Sequence, residues 1–412
     1  MQSEPVAVRI WLGLFQLSNR LLAPAHSPIF WQRDEARVVK KAMSFSEQWQ
    51  PQHWQSLQLQ SRNFSVSQVQ AALTKNRLTL TDLQALLSPA ALSLLPQMAI
   101  KAQQLTRQRF GYTVQFFAPL YLSNLCANEC SYCGFSMSQQ VKRRTLNVAE
   151  IEQECLAIKA LGIDQVLLVT GEHERKVGIE YFCQALPVIR RHFSSIQLEV
   201  QPLTTAEYQQ LKTLGVDAVM LYQETYNATA YQQYHLKGKK TDISWRLDAP
   251  DRVGQAGIDK IGLGILLGLT DWRTDAILLA QHLMYLQKQY WQSRFSLSVP
   301  RIRPCSGGSN VAYPISDQEL IQLICAFRLF APELEISLST RESALFRQHV
   351  IPLAITSISA GSKTQPGGYS VDPDNLEQFS IDDTRLPKQV ATALTHQGLQ
   401  PIWKDWDSFL GR

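Results

Sequence analysis

Charge is scarce in this chain and balanced in sign. Charged residues make up 18% of the 412, with 40 basic against 35 acidic and a net charge of +5. Because the two signs are interspersed, the charge points to neither nucleic acid nor a membrane surface as a partner. Long hydrophobic runs are missing as well. The apolar stretch from Arg9 to Leu22 is broken by Arg20 and falls short of the roughly 20 residues that cross a bilayer. No small-residue cleavage site follows it, so it does not read as a secretory signal. Disorder is excluded by the opposite abundance, since 45% of residues are hydrophobic and 16 Phe, 13 Tyr and 9 Trp are among them. Cysteine is sparse and odd in number, which argues against a secreted disulfide framework. Yet three of the seven cysteines fall between positions 126 and 133. That crowding suits metal ligation in a reducing, cytoplasmic compartment.

The length allows one large domain with attachments. Residues 1–42 read as an upstream extension outside the folded enzyme, because ordinary domain patterning begins at Met43-Ser44-Phe45. Residues 43–109 read as a helical lead-in. Ser65-Val66-Ser67-Gln68 is a capping-box pattern, and Thr81 to Leu87 and Ala90 to Gln108 continue in helical period, interrupted at Pro89 and Pro96. After Gly111 the texture changes. Apolar runs of strand length, namely Thr113–Leu122, Gln165–Val169, Gln197–Val200, Ala218–Tyr222, Lys260–Leu267, Phe295–Pro300 and Glu335–Ser339, alternate with helical segments, among them Val148–Leu161 and Trp245–Ala256. Alternation of this kind means parallel strands with helices outside, and we expect an α/β barrel of the TIM type over 110–340, followed by a C-terminal substrate-closing segment over 341–412. In a barrel the chemistry gathers at the C-terminal ends of the strands.

The first run ends in Cys126-Ala127-Asn128-Glu129-Cys130-Ser131-Tyr132-Cys133. Three thiolates can hold three irons of a [4Fe-4S] cube and leave the fourth open, whereas an electron-transfer cluster takes four cysteines. A structural zinc site needs a fourth ligand, and neither Cys155 nor His173 has ligand spacing. Cys155, Cys183, Cys305 and Cys325 stand isolated and are expected to play no ligand role.

The C-x3-C-x2-C spacing, with an aromatic before the last cysteine, resembles the radical S-adenosylmethionine (SAM) superfamily. The resemblance implies that SAM chelates the open iron and yields a 5'-deoxyadenosyl radical. It places Tyr132 against the adenine and makes Thr170-Gly171-Glu172, at the end of the second strand, the counterpart of the Gly-Gly-Glu element that holds the SAM amino group. Lys260 to Leu269 resembles the glycine-bearing fifth strand. Further segments, including Gln223-Glu224-Thr225-Tyr226, Trp245-Arg246-Leu247, Pro300-Arg301-Ile302-Arg303-Pro304, Ser339-Thr340-Arg341-Glu342, Ser359-Ala360-Gly361-Ser362 and Gln400 to Trp406, look like the 2-iminoacetate synthase family, the tyrosine lyases of bacterial thiamine thiazole synthesis, from about Met43 to Arg412.

Cleavage of the Cα–Cβ bond of L-tyrosine to 4-cresol and 2-iminoacetate is the activity that this implies, with thiazole synthase as the receiving partner. It also implies Arg341 on the substrate carboxylate with Arg303 as a second candidate, Ser359 at the amino group, Tyr121 in the pocket wall, Arg246 at the SAM carboxylate and Glu224 on its ribose or adenine side. Relatives that make cyanide and carbon monoxide for hydrogenase assembly carry an added C-terminal cysteine cluster, whereas no cysteine follows Cys325 here. Tryptophan lyases share much of the scaffold, and a non-catalytic iron-sulfur scaffold is the reading from another class. Lys142-Arg143-Arg144 reads either as a solvated face or as a docking point for an acidic, flavodoxin-type electron donor.

Overall fold

The computed structural model describes residues 43–305, 311–371 and 376–404. The expectation for residues 1–42 lies outside these, as do Asp405 and Trp406. Seven strands form where the apolar runs place them: β1 (Thr113–Ser123), β2 (Gln165–Thr170), β3 (Ser195–Glu199), β4 (Ala218–Glu224), β5 (Lys260–Ile265), β6 (Arg294–Ser298) and β7 (Glu335–Leu338). Each pairs in parallel with the next. Every residue of β2 is buried, as a strand covered by helices outside and side chains inside requires.

Closure depends on a strand that the sequence reading did not place. β8 (Ser357–Ser359) pairs in parallel with β7 on one side and with β1 on the other, completing an eight-stranded barrel. The barrel therefore runs past the expected boundary at residue 340 into the segment read as a tail. Three residues are too few to display a period of two, which is why the strand was missed. The expected helix Trp245–Ala256 is likewise two, Ile243–Leu247 and Ala249–Gln255. Pro250 lacks an N–H and suits the first turn of the second helix, not the interior of one continuous helix.

The lead-in shares the barrel's core. Ser65 Oγ accepts from the Gln68 N–H while the Gln68 side chain accepts from the Ser65 N–H at 2.8 Å, completing the capping box. Helices Leu80–Leu87 and Leu95–Phe110 then bury Leu83, Leu86, Met98 and Ala102 in one apolar cluster with the barrel.

Two strands end irregularly at the C-terminal mouth. Pairing shifts register between Tyr121 and Ser123 in β1 and between Tyr222 and Glu224 in β4. Glu224 has φ 69°, and among the described residues it is the one non-glycine in the left-handed region. Backbone held there costs energy and re-aims a side chain, a use of strain typical of functional sites. Behind the mouth, Arg347 and Asp383 form a fully buried ion pair, and Arg347 also donates to the Ser359 carbonyl at 2.6 Å. This pair fastens the tail segment to the end of β8. Removing Asp383 would strand the buried Arg347 charge, a loss of roughly 3–5 kcal/mol, whereas Asp383 has Arg385 as a second partner.

Candidate active site

At that mouth lies a cavity of about 960 Å³ including its opening. Cys126, Cys130 and Cys133 form one wall, on the loop after β1. The loop is held from several sides. Residues Glu129–Cys130 pair antiparallel with His235–Lys237 from beyond β4, and Arg143 donates to the carbonyls of Asn124 (2.7 Å), Phe135 (2.9 Å), Ser136 (2.6 Å) and Gln139 (3.2 Å). Arg144 pairs with Glu150 at 2.9 Å. Arg143 and Arg144 thus serve the loop as scaffold, while Lys142 is exposed. We expect Arg143→Gln to lower the iron retained after reconstitution while the far-ultraviolet circular dichroism stays that of the parent; unchanged iron content would show the clamp to be dispensable.

Gly171 explains itself sterically. A Cβ there would lie 2.3 Å from the Leu125 carbonyl oxygen and 3.1 Å from Cys126 Cβ, so only glycine lets the end of β2 meet the cysteine loop. Gly264 in β5 does the same for the floor of the site, since a Cβ would strike the Tyr222 ring at 2.6 Å, and Tyr222 lines the cavity.

Four charged side chains are linked in a row along the cavity. Glu172 accepts from Arg246 at 3.0 Å and from Asn128 Nδ2 at 2.7 Å. Arg246 lies 3.7 Å from Glu224, which accepts from Lys240 at 2.7 Å. Burial opposes ionisation of both carboxylates, but the Arg246 and Lys240 charges outweigh it and hold them below the usual range. Tyr132 lines the same cavity. Its hydroxyl lies 2.7 Å from His235 Nε2, and His235 Nδ1 lies 2.7 Å from the Tyr231 carbonyl. A carbonyl only accepts, so Nδ1 carries the proton and Nε2 accepts from Tyr132. Burial and the nearby Lys240 and Arg246 charges push His235 down to about 2, which keeps the imidazole neutral.

The residues expected at the substrate divide. Arg341 lines the cavity, with its guanidinium 3.4 Å from the centre of the Phe379 ring. The ion pair with Glu342 that neighbouring position suggests does not form, because Glu342 is taken by Arg301. Arg303 also lines the cavity but is ion-paired with Asp382. Tyr121 stands one layer behind, donating at 2.8 Å to Gln378 Oε1, while Gln378 itself faces the cavity. Ser359 is not among the lining residues. Its Oγ accepts from the Thr340 N–H at 3.1 Å, so at the end of β8 it braces a turn.

Sequence reasoning missed Asn128, Glu199, Lys240, Gln378 and Phe379, all of which line the cavity. Glu199 ends β3 and so carried a signal, a polar residue at the C-terminal end of a barrel strand. Gln378 and Phe379 arrive from a tail with no such pattern.

Residues 120–280 match the Radical SAM superfamily and residues 298–400 the Biotin and Thiamin Synthesis associated domain. The chain is 59% identical to the 2-iminoacetate synthase of Salmonella typhimurium over 90% of its own length and 98% of that protein. It is 58% identical over the same shares to that of Escherichia coli. The chain belongs to the 2-iminoacetate synthase family. Its fold is also that of HydG, described as a maturase of the [FeFe]-hydrogenase, with a TM-score of 0.83 and 29% identity over 88% of this chain and 82% of that one. As a member of the 2-iminoacetate synthase family, the chain is a radical SAM lyase with a [4Fe-4S] cluster and SAM as cofactors.

The site suits both groups. Three free thiols face one cavity, and the N–H groups of Asn128 and Phe135 point to the sulfurs of Cys126 and Cys133 at 3.5 and 3.4 Å, as donors to cluster thiolates do. Among the described residues no group of His, Cys, Asp or Glu is arranged to hold a single metal ion. Thiolates that each bind their own iron stand further apart than thiolates converging on one ion. Burial raises the Cys126 thiol to about 11 and pushes the Cys130 thiol above its ordinary value too, so loading the cluster releases protons. In the cavity wall Thr170 Oγ1 is buried without a partner, a polar group left for a ligand to satisfy.

Proposed function

We propose that this chain cleaves the Cα–Cβ bond of L-tyrosine to 4-cresol and 2-iminoacetate for the thiazole moiety of thiamine. The observation that carries this reading is 59% identity to a 2-iminoacetate synthase over 90% of this chain, joined to a cavity whose walls bear both a cysteine triad and an arginine, Arg341, that is ion-paired with no carboxylate among the described residues.

When bound, the cluster and SAM supply a 5'-deoxyadenosyl radical. The chain's own residues bind and orient. Glu172 and Arg246, one acceptor and one donor 3.0 Å apart, suit the ammonium and carboxylate of SAM, with Gly171 admitting its backbone side, Tyr132 against the adenine and Glu224 toward the ribose. Arg341 is the group for the tyrosine carboxylate, since its planar fork is pre-set by the Phe379 ring. Arg303 stands at the rim, Tyr121 acts through Gln378, and Ser359 supports the turn that presents Arg341. Thiazole synthase as receiver of the imine, a flavodoxin-type electron donor and a reducing cytoplasmic setting belong to the same proposal. The setting is supported by the free thiols, and among the described residues no single helix is long and apolar enough to cross a membrane.

Supplying tyrosine or tryptophan to the reconstituted protein tests the substrate. We expect 4-cresol from tyrosine and no fragment from tryptophan; an indole product with no cresol would move the chain to a neighbouring lyase.

A further inference from the structure

Seven charged side chains line the cavity: Glu172, Glu199, Glu224, Lys240, Arg246, Arg303 and Arg341. Five have a partner of opposite sign. Glu172, Arg246, Glu224 and Lys240 are joined to one another, and Arg303 is paired with Asp382. The remaining two are Glu199 and Arg341, one of each sign. Neither makes an ion pair with a described residue, and Glu199 accepts no hydrogen bond from one. Besides stacking on the Phe379 ring, the Arg341 guanidinium makes one long hydrogen bond to a described residue, from Nη1 to the Arg301 carbonyl at 3.4 Å.

Leaving two opposite charges in one desolvated cavity without partners is costly unless a ligand brings the complementary pair. An α-amino acid carries that pair, a carboxylate and an ammonium about one residue's width apart. Val169, Val200, Met220 and Tyr222, which line the same cavity, are apolar or aromatic and fit the body of an aromatic side chain.

We propose that Glu199 is the counter-charge for the α-ammonium of the substrate, the partner of Arg341 in recognising the amino acid as a zwitterion. This rests on the tyrosine-lyase reading and deepens it. It also separates the two zwitterions in the cavity, with Glu172 and Arg246 serving SAM and Glu199 and Arg341 serving the amino acid. Glu199 is faced by Arg341, Lys240 and Arg246 on the positive side and by Glu224, Tyr222 and Tyr121 on the other. Burial dominates and pushes its carboxyl up to about 7. Tyrosine affinity should therefore rise as pH increases through this value and the carboxylate forms.

The test compares Glu199→Gln with the parent, both reconstituted to the same iron content and saturated with SAM, for binding of L-tyrosine and of 3-(4-hydroxyphenyl)propanoate, which lacks the amino group. Loss of a charged hydrogen-bond partner predicts roughly 10- to 100-fold weaker tyrosine binding with an unchanged affinity for the des-amino acid, and loss of the pH dependence near 7. Equal weakening of both ligands, or parental tyrosine binding, would overturn the proposal. If the parent itself binds tyrosine no better than phenylacetate and releases no 4-cresol, the tyrosine-lyase reading fails instead. A variant that cannot be loaded with iron is replaced by Glu199→Asp, which keeps the charge and must bind tyrosine more tightly than Glu199→Ala for the proposal to stand.

Discussion

Replacing Cys126, Cys130 or Cys133 with alanine is expected to abolish 4-cresol formation and SAM cleavage together. Each thiol lines the same cavity wall; Cys155 and Cys325 are buried outside that lining, and Cys305, whose sulfur lies 3.5 Å from the Tyr132 carbonyl, is near the triad but does not line the cavity. A cube held by two thiolates is lost or rearranged on purification, so iron analysis should fall with activity. Alanine at Cys155 or Cys325 should leave both readings intact. Retained turnover in any of the first three variants would refute a three-thiolate site.

Arg341→Lys separates cofactor chemistry from substrate recognition. The side chain is half-buried, lies on Phe379 and contacts one backbone carbonyl, which leaves its other N–H groups for a ligand. A lysine in its place keeps the charge and loses the fork. Truncating one side of a buried charged contact costs about 2–4 kcal/mol, which is roughly 30- to 900-fold in kcat/KM for tyrosine. Because Arg246 and Glu172 are untouched, 5'-deoxyadenosine should still appear, now with far less cresol. A proportional loss of both products would place Arg341 at the SAM site and contradict the assignment.

Much of the barrel was legible because parallel strands buried on both faces must be written as apolar runs, and seven of them are. β8 was not, being three residues long and defined by its neighbours on both sides. The same division holds in the site. The cysteines, Glu172, Glu224 and Arg341 lie on or beside recognisable motifs at strand ends and Arg246 on a short helix, and all line the cavity. Ser359 looked equivalent by position, yet its hydroxyl supports the Thr340 N–H, a distinction set by side-chain direction that spacing cannot carry. Lys240 and His235 enter through the short pairing of residues 235–237 with the cysteine loop. Gln378 reaches Cys133 across the fold, its Nε2 3.6 Å from the sulfur; contacts of such sequence separation leave no local trace. Glu199 is the last residue of a strand whose neighbours end in functional groups, but polar residues at 195 and 197 of the same strand keep it from standing out.

The most direct measurement is anaerobic. The reconstituted protein is given dithionite, SAM and L-tyrosine, and 5'-deoxyadenosine and 4-cresol are quantified together. The account predicts that both are released and that cresol depends on tyrosine. An intact cluster that yields neither product would contradict it and leave the chain an iron-sulfur scaffold.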